Sequence, residues 1–406
     1  MRSCYEVDNL STQRDGDEIV STGGAREVNL LIPGPTPLPP DVRAAMAGPM
    51  VNHRGEEFGQ VLAEVLRGLQ QIFQTTAPVV PFAASGTGGL EAAIVNVLSP
   101  GDRVLAPSCG MFGDRFGAIA KAFGADVISQ QAPWGTAVDP AAVAEALSRH
   151  RGVAAVLLTH NETSTGVANP VQAIAEVVRP TGALLLVDAV SSLAALDLRT
   201  DAWGVDVVVS GSQKALMAPP GAVFLAVSAR AQEAARSARM PKAYFSFERA
   251  LAELAPQVAF TPFTPAIPVI SALQVSVRMI LREGLPSRFA HHHRLAQATR
   301  RGIMALGLEL FCDPSCASDT VTAVRLPQRI DGKALLRRLR QDHGVALAGG
   351  QGKLEGVIFR IGHMGYVQES QILSALEALE HVLAQLGHPV KRGAAVEAAA
   401  AGLRAR

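Results

Sequence analysis

Short apolar runs alternate with stretches of helical periodicity between Val79 and about Gln257. A parallel β-sheet produces this pattern, because its strands are buried on both faces and its crossover connections are helices. The pattern predicts an α/β fold with a mostly parallel sheet of about seven strands between helices. The predicted strands are Val79–Ala83, Arg103–Ala106, Asp126–Ser129, Ala154–Thr159, Ala183–Asp188, Val205–Ser210 and Val223–Val227. The predicted intervening helices are Gly88–Leu98, Met111–Phe123, Pro140–Ser148 and Pro170–Val178.

Two of the predicted strands lead to ionisable side chains that can take part in catalysis. One strand leads through a Ser/Gly turn to Lys214, and another ends at Asp188. Ligands of α/β sheets bind at the carboxyl ends of the strands, so this acid and this amine are expected at one site. Pyridoxal phosphate needs a lysine for its Schiff base and an acid that keeps its pyridine nitrogen protonated. The pair therefore predicts pyridoxal 5'-phosphate as cofactor, with Lys214 and Asp188 as catalytic residues.

A small-residue turn offers a place for the cofactor's phosphate. Residues 83–93 join Ser85, Gly86 and Thr87 to a helical run. The free backbone N–H groups and the dipole at a helix N-terminus favour an anion. We therefore expect these three residues to bind phosphate.

Several further motifs follow in a definite order along the chain. They are Pro33-Gly34-Pro35-Thr36-Pro37, Ser85-Gly86-Thr87-Gly88, His160-Asn161-Glu162-Thr163-Ser164-Thr165-Gly166, Val187-Asp188-Ala189, Ser210-Gly211-Ser212-Gln213-Lys214 and Phe359-Arg360-Ile361-Gly362. With these motifs the chain resembles the class V, fold-type I pyridoxal-phosphate aminotransferases, and within them the alanine–glyoxylate and serine–glyoxylate (serine–pyruvate) group. The resemblance extends from about Leu31 to about Leu386.

The resemblance implies roles for individual residues. Lys214 would form the Schiff base and move the proton during transfer, while Asp188 would hold the pyridine nitrogen. Arg360 would bind the substrate α-carboxylate, and Gly34 would let substrate approach the backbone at the entrance of the site. The remaining cofactor ligands would be Ser85, Gly86, Thr87 and Gln213 at the phosphate, Phe112 stacked on the ring and Thr163 at the ring oxygen.

A proline-rich loop at 259–268 departs from the family pattern. In the family, a tyrosine and a threonine of this loop reach the neighbouring subunit's phosphate. Thr264 retains the threonine, but Phe263 occupies the tyrosine position, so one hydroxyl is missing. The resemblance thus implies a homodimer with shared active sites and raises a question about phosphate affinity.

The predicted organisation has a large and a small domain. Residues 1–27 are expected to be a mobile N-terminal extension, and 28–270 the large cofactor-binding domain, in which 28–50 lies near the entrance. Residues 271–388 would be a long linking helix, interrupted near Gly284, and a small C-terminal α+β domain. A flexible tail is predicted for 389–406.

Composition and charge restrict the kinds of partner that this protein is expected to bind. The net charge of +1, without a basic stripe, argues against nucleic acid. No run approaches the roughly 18 apolar residues of a membrane-spanning helix. The four cysteines are too few and too irregular for a disulfide framework, which predicts a reducing, cytoplasmic location.

Several polar residues are interpreted as structural. The triplet His291-His292-His293 fans around a helix and cannot chelate one metal ion, so we expect a solvated helix face there and no metal site. Cys312 and Cys316 lack the second pair that a zinc site needs. His160 and Glu162 are expected to cap a turn.

The resemblance implies a transaminase that moves an amino group from a small L-amino acid, alanine or serine, to glyoxylate or a similar 2-oxo acid, by a ping-pong sequence through pyridoxamine phosphate. Another donor, such as ureidoglycine, an aminophosphonate or aspartate, remains an alternative because the sequence does not determine pocket volume. Lyase or desulfurase chemistry would need a cysteine close to Arg360, and Cys312 and Cys316 lie far before it. A non-catalytic protein that retains the fold is the third alternative.

Overall fold

The computed structural model describes residues 28–404, so the extension predicted at 1–27 lies outside the described residues. Three short 3-10 turns accompany the strands and helices, at Arg179–Thr181, Pro314–Cys316 and Gly352–Leu354. In chain order the strands are β1 Asn29–Leu30, β2 Val79–Phe82, β3 Arg103–Ser108, β4 Asp126–Gln131, β5 Val153–Thr159, β6 Asn161–Glu162, β7 Val167–Ala168, β8 Leu184–Asp188, β9 Val207–Gly211, β10 Val223–Val227, β11 Val321–Arg325, β12 Val345–Ala346, β13 Ala348–Gly349 and β14 Ile358–Gly362. The helices are α1 Pro40–Met46, α2 Glu56–Phe73, α3 Gly86–Val97, α4 Met111–Ala122, α5 Pro140–Arg149, α6 Val171–Val178, α7 Thr200–Trp203, α8 Ala229–Ser237, α9 Phe247–Ala252, α10 Ile267–Glu283, α11 Leu285–Ala305, α12 Gly332–His343, α13 Glu369–Gln385 and α14 Ala394–Arg404.

A seven-stranded sheet forms the centre of the large domain. Its strand order is β2-β10-β9-β8-β5-β3-β4, and β10 runs antiparallel to both of its neighbours while the other pairs are parallel. The predicted α/β class and the mostly parallel seven-stranded sheet are confirmed. All seven predicted strands are present, and their ends differ from the predicted ones by at most two residues.

Both faces of this sheet are buried by helices. Along β9, Val208 faces a cluster with residues of α2, α5, α6 and α10, whereas Val207 and Val209 face a cluster with α3, α4, α8 and α9. The same alternation holds on β8, where Leu185 and Leu186 point to opposite sides. Because neither face of the central strands reaches water, β8, β9 and β10 are buried along their whole length, whereas the edge strand β4 carries polar, partly exposed residues.

The predicted interruption of the linking helix occurs at Gly284, which separates α10 from α11 and has a φ of +83°. The prediction of a solvated histidine face on α11 is wrong for His292. The His292 side chain is fully buried, His291 is partly buried, and only His293 is exposed. Consecutive helical residues point about 100° apart, so three adjacent side chains of an enclosed helix meet three different environments.

The small domain is built on a three-stranded antiparallel sheet in the order β11-β14-β13. Helices α11, α12, α13 and α14 pack around it with a core of their own. Strand β1 pairs in parallel with β12, and Leu31 belongs to this core. Residues 29–31 therefore pack with the small domain, although the sequence analysis assigns 28–50 to the large one.

The flexible tail expected at 389–406 is wrong for 394–404, which form α14. Ala395 and Ala399 are fully buried against α11, and Gly302 of α11 leaves room for the α14 backbone. The buried carboxylate of Glu380 on α13 accepts hydrogen bonds from the backbone N–H groups of Gly393, at 2.8 Å, and Ala395, at 2.7 Å. A distant acidic side chain thus caps a helix that alanine-rich sequence alone does not place.

No helix within residues 28–404 combines the length and the apolar character needed to cross a bilayer.

Replacing Glu380 with alanine should detach the start of α14, because the backbone N–H groups of Gly393 and of the buried Ala395 lose their acceptor. We expect the free energy of unfolding to fall by about 1–3 kcal/mol. Urea denaturation measures this loss, and hydrogen exchange of 394–404 locates it. Glu377→Ala, an exposed acid on the same helix, is the control. Equal stability of the two variants would show that Glu380 does not hold α14.

Candidate active site

Asp188 and Lys214 follow neighbouring strands at the carboxyl edge of the sheet. Asp188 is the last residue of β8 and lies opposite Val209 of β9, whose continuation beyond Gly211 carries Lys214. The backbone N–H of Ala189 donates to the carbonyl of Val209 at 2.8 Å, which keeps the two strand ends together. The pairing of β8 with β9 therefore brings the predicted acid and amine to one edge.

The Asp188 carboxylate is enclosed. One oxygen, Oδ1, accepts a hydrogen bond from the Val190 N–H at 2.9 Å. Burial raises the pKa of Asp188 to about 6, and the negative charge of Glu162 adds to this, while the Val190 N–H, Lys214 and Arg115 act in the opposite direction. Within residues 28–404, Oδ2 makes no hydrogen bond and is available to a ligand.

The Lys214 amine is held beside the 33–37 segment. Its Nζ donates a hydrogen bond to the Pro33 carbonyl. Gly34, with a φ of +132°, allows this approach, because a Cβ there would lie 2.7 Å from both Cδ and Cε of Lys214. The pKa of Lys214 is lowered to about 8, chiefly by burial; the charge of Asp188 opposes this change, and that of Arg360 contributes to it. Gly34 thus makes room for the lysine itself.

The predicted phosphate turn begins α3. Ser85 is the N-cap residue, its side chain makes no capping hydrogen bond, and both Ser85 and Thr87 are exposed. Gly86 packs against Val190, since a Cβ at Gly86 would lie 2.8 Å from Cγ2 of Val190. The open helix N-terminus therefore lies next to the segment that carries Asp188.

Gln213 occupies the turn just before the lysine. Its Oε1 is buried and has no hydrogen-bond partner within the described residues. Its backbone carbonyl accepts a hydrogen bond from the N–H of Thr36 at 3.1 Å. An amide without a protein partner is free to bind a ligand.

Arg360 comes from β14 of the small domain and is buried. Its Nε donates to the Gly349 carbonyl at 2.9 Å, and its Nη1 donates to the Thr163 carbonyl at 3.0 Å and to Oε1 of Gln351 at 3.4 Å. Burial lowers the pKa of Arg360 to about 10, and the charge of Glu162 opposes this change. The structure thereby joins two predicted site residues, Thr163 and Arg360, across the domain boundary.

Glu162 is a cap, as the sequence analysis expects, but it caps a helix distant in sequence. Its buried carboxylate accepts hydrogen bonds from the backbone N–H groups of Phe112 at 2.9 Å and Gly113 at 3.0 Å, in the first turn of α4. The Ser164 hydroxyl donates to the same carboxylate at 2.5 Å. Burial raises the pKa of Glu162, and these hydrogen bonds lower it. Sequence reasoning did not find this contact, because the two segments lie about 50 residues apart.

Phe112 and Thr264 lie at the margins of this arrangement. The Phe112 ring is partly exposed, and the Arg115 guanidinium lies 5.0 Å from its centroid. Thr264 is exposed on its loop, and the neighbouring Phe263 stacks on Tyr244 with ring centroids 4.4 Å apart. The roles assigned to Phe112 and Thr264 stay predictions.

A family model described as aminotransferase class-V matches residues 30–370. The chain belongs to the class-V aminotransferases. Amino-group transfer is thus the activity for which its family is named.

Three similar proteins illustrate the range of this family. The small subunit of a soluble hydrogenase from Synechococcus sp. (strain PCC 6716) is 44% identical, with 88% of this chain and 94% of the relative covered. The L-aspartate–glyoxylate aminotransferase of Paracoccus denitrificans (strain Pd 1222) is 39% identical, covering 91% and 94%. A crystal structure of ureidoglycine–glyoxylate aminotransferase from Bacillus subtilis superposes with a TM-score of 0.89 at 31% identity, covering 95% and 100%.

Between residues 28 and 404, no group of three or more histidine, cysteine or acidic side chains is arranged to hold a metal ion. Two of the three relatives are named for glyoxylate as a substrate, and their names differ in the amino donor.

Lys214→Met should stabilise the cofactor-free protein at pH 7. A lysine with a lowered pKa binds its proton less tightly in the folded state, so folding is penalised below about pH 8, and the penalty disappears as the pH rises toward the ordinary value of 10.5. We expect a gain of about 1–3 kcal/mol at pH 7 that shrinks between pH 8 and 10. Urea denaturation at several pH values measures it.

The control for this experiment is Lys121→Met, which changes an exposed lysine of α4. Its stability relative to the unmodified protein should show no comparable trend with pH. A Lys214→Met protein that is no more stable than the unmodified protein at pH 7 would contradict the enclosure of this amine.

Proposed function

We propose that this protein is a pyridoxal 5'-phosphate-dependent transaminase that moves the amino group of a small L-amino acid, alanine or serine, to glyoxylate. The observation that carries the proposal is the meeting of Lys214, with its pKa near 8, and Asp188 at adjacent strand ends. When bound, pyridoxal phosphate supplies a conjugated ring that accepts the electron pair left at the donor's Cα. The glyoxylate relatives support the choice of acceptor.

The residues around the site fit this cofactor. The open N-terminus of α3, with exposed hydroxyls on Ser85 and Thr87, suits a phosphate, and Gly86 lets the helix start close to Asp188. Gln213 can turn its unpartnered amide toward the same phosphate. Oδ2 of Asp188 would hold the ring nitrogen. Phe112 would stack on the ring, and the Thr163 hydroxyl would donate to the ring oxygen.

Lys214 supplies the reactive amine. A pKa near 8 leaves a substantial neutral fraction near neutral pH, and a neutral amine is both a nucleophile and a proton acceptor. Nζ of Lys214 would take the proton from the donor's Cα and later return it to the product. Gly34 keeps the space that this side chain needs to move.

Arg360 is the proposed anchor of the substrate. The Gly349 and Thr163 carbonyls orient its guanidinium through Nε and Nη1, and Nη2 makes no hydrogen bond within residues 28–404. A carboxylate binds such a guanidinium through two parallel N–H···O contacts. Amino donors and 2-oxo acceptors share an α-carboxylate, so one arginine serves both halves of the reaction.

The assembly and location are also proposals. A homodimer would bring Thr264 of one protomer to the phosphate of the other, which suits the exposure of Thr264. Cys109, Cys312 and Cys316 form no disulfide with one another in residues 28–404, which supports a reducing compartment such as the cytoplasm.

The test of the proposal is a visible absorbance spectrum of the protein incubated with pyridoxal phosphate. An absorbance band at about 400–430 nm, the range of a lysine-bound cofactor, should appear. It should fade when alanine or serine is added and return when glyoxylate is added. Lys214→Ala should lack the band, whereas Lys121→Ala should keep it. Fading only with aspartate or ureidoglycine would change the donor, and a protein without any band would overturn the proposal.

Arg360→Ala should raise the KM for every α-carboxylate substrate by about tenfold or more, because the charged partner of the carboxylate is lost. Steady-state kinetics with donor and acceptor varied in turn measures the effect. Arg325→Ala, at the exposed end of β11, is the control and should leave KM unchanged. An unchanged KM in Arg360→Ala would remove this arginine from the substrate.

A further inference from the structure

One turn of the small domain is fastened to α11 on one side. Arg288 and His292 of α11 bind both polar backbone groups of Gly365. The Gly365 N–H donates to Nε2 of His292 at 3.0 Å, and Nη2 of Arg288 donates to the Gly365 carbonyl at 2.9 Å. Two side chains one helical turn apart therefore clamp a single residue.

The clamp requires one protonation state of His292. Because Gly365 donates to Nε2, the imidazole proton lies on Nδ1, which donates to the Arg288 carbonyl at 2.7 Å. His292 is fully buried, and burial lowers its pKa well below the ordinary value, with the charges of Arg288, His291 and His363 acting in the same direction. His292 is thus a neutral acceptor, and within residues 28–404 its Nε2 accepts from the Gly365 N–H.

The other side of the same turn rests on the lysine's backbone. Gly365 has a φ of +78°, and a Cβ there would lie 2.9 Å from Oγ1 of Thr36 and 3.2 Å from the Lys214 carbonyl oxygen. Oγ1 of Thr36 donates to that Lys214 carbonyl at 3.0 Å. The backbone of Lys214 is therefore confined between Thr36 and Gly365.

The clamped turn also follows Arg360 directly in sequence. Arg360 and Gly362 belong to β14, and the Gly362 N–H donates to the Leu31 carbonyl at 2.7 Å, at the base of the 33–37 segment. The same short stretch of chain thus touches the lysine at one end and carries the arginine at the other. A shift of this stretch would change the separation of the two groups.

We propose that His292 and Arg288 are positioning residues for Lys214: by clamping Gly365 they keep the lysine's backbone pressed against Thr36 and its amine in register with Arg360. The inference deepens the proposed function and rests on it for its catalytic consequence. Proton transfer requires the amine to lie within hydrogen-bond reach of Cα in a substrate anchored on the arginine, and such geometry is sensitive to displacements of about 1 Å.

The first experiment uses the cofactor-free protein, so it does not depend on the reaction. The rate at which acetic anhydride labels Lys214 is followed by mass spectrometry as a function of pH. The groups that act on this amine are Asp188 and Arg360, with burial as the largest cause of its lowered pKa near 8. If His292→Leu loosens the turn at Gly365, water reaches the Lys214 amine and its pKa moves toward the ordinary value. The midpoint of the labelling curve, the pH at which the rate is half-maximal, should then rise by about 0.5 unit or more.

Two comparisons separate positioning from general loss of structure. Thr299→Val removes a buried hydroxyl of the same helix that bonds only to the Leu295 carbonyl, and it should keep the unmodified midpoint. His292→Gln, which can both accept from Gly365 and donate to Arg288, should restore the midpoint. A His292→Leu midpoint equal to that of Thr299→Val would overturn the proposal.

Thr36→Val tests the last link without touching α11. It keeps the shape of the side chain and removes its hydrogen bond to the Lys214 carbonyl, so the midpoint should move in the same direction as in His292→Leu. This variant decides the matter if His292→Leu does not fold. An unmoved midpoint in Thr36→Val would show that the clamp does not reach the lysine.

The second readout is the kinetics of the loaded enzyme. Because Arg360 keeps its own contacts with Gly349 and Thr163, His292→Leu should lower kcat by about fivefold or more and change KM by less than about twofold. An equal loss in both constants would contradict positioning of the lysine. If the protein shows no visible absorbance band with pyridoxal phosphate, the proposed function is wrong. The labelling result remains valid in that case, because it is measured on the cofactor-free protein.

Discussion

The burial of both faces of the seven-stranded sheet is the constraint on which the rest of the molecule depends. Helices cover each face, so strands such as β8 and β9 contain apolar residues at successive positions. Polar residues are then confined to the loops and the strand ends, where their hydrogen bonds can be satisfied. Asp188 and Lys214 lie at such ends. The chemistry of the protein is gathered at one edge because the sheet leaves no other place for it.

The candidate site at this edge is enclosed and contains both acidic and basic side chains. Two acids, Asp188 and Glu162, and two bases, Lys214 and Arg360, are mostly removed from water, and burial shifts each pKa toward the neutral form. For the proposed reaction, the lowered pKa of Lys214 matters most, because only a neutral amine can attack a carbonyl or accept a proton. Its neighbours reach it from different parts of the fold: Pro33 from the N-terminal segment and Arg360 from the small domain.

The small domain therefore contributes contacts inside the candidate site. Its strand β14 supplies Arg360, the turn after β14 rests on the backbone of Lys214, and β1 ties the N-terminal segment to the same domain. A motion of this domain would move Arg360, the proposed anchor for substrate, together with the turn that supports the backbone of Lys214. The packing of α11 and α14 against it determines how rigid that connection is.

The fold class and the seven strands could be predicted from local periodicity, and the candidate reactive residues from their positions directly after strands. The motifs around Lys214, Asp188 and Arg360 were recognisable for the same reason. The meeting of groups far apart in the chain becomes visible only in the folded protein. His292 is buried because its helix is enclosed, and the predicted flexible tail forms a helix at 394–404 whose start Glu380 holds. Glu162 reached α4 across about 50 residues in the same way. Such contacts join segments far apart in the chain, and no local pattern records the partner that a buried polar group will find.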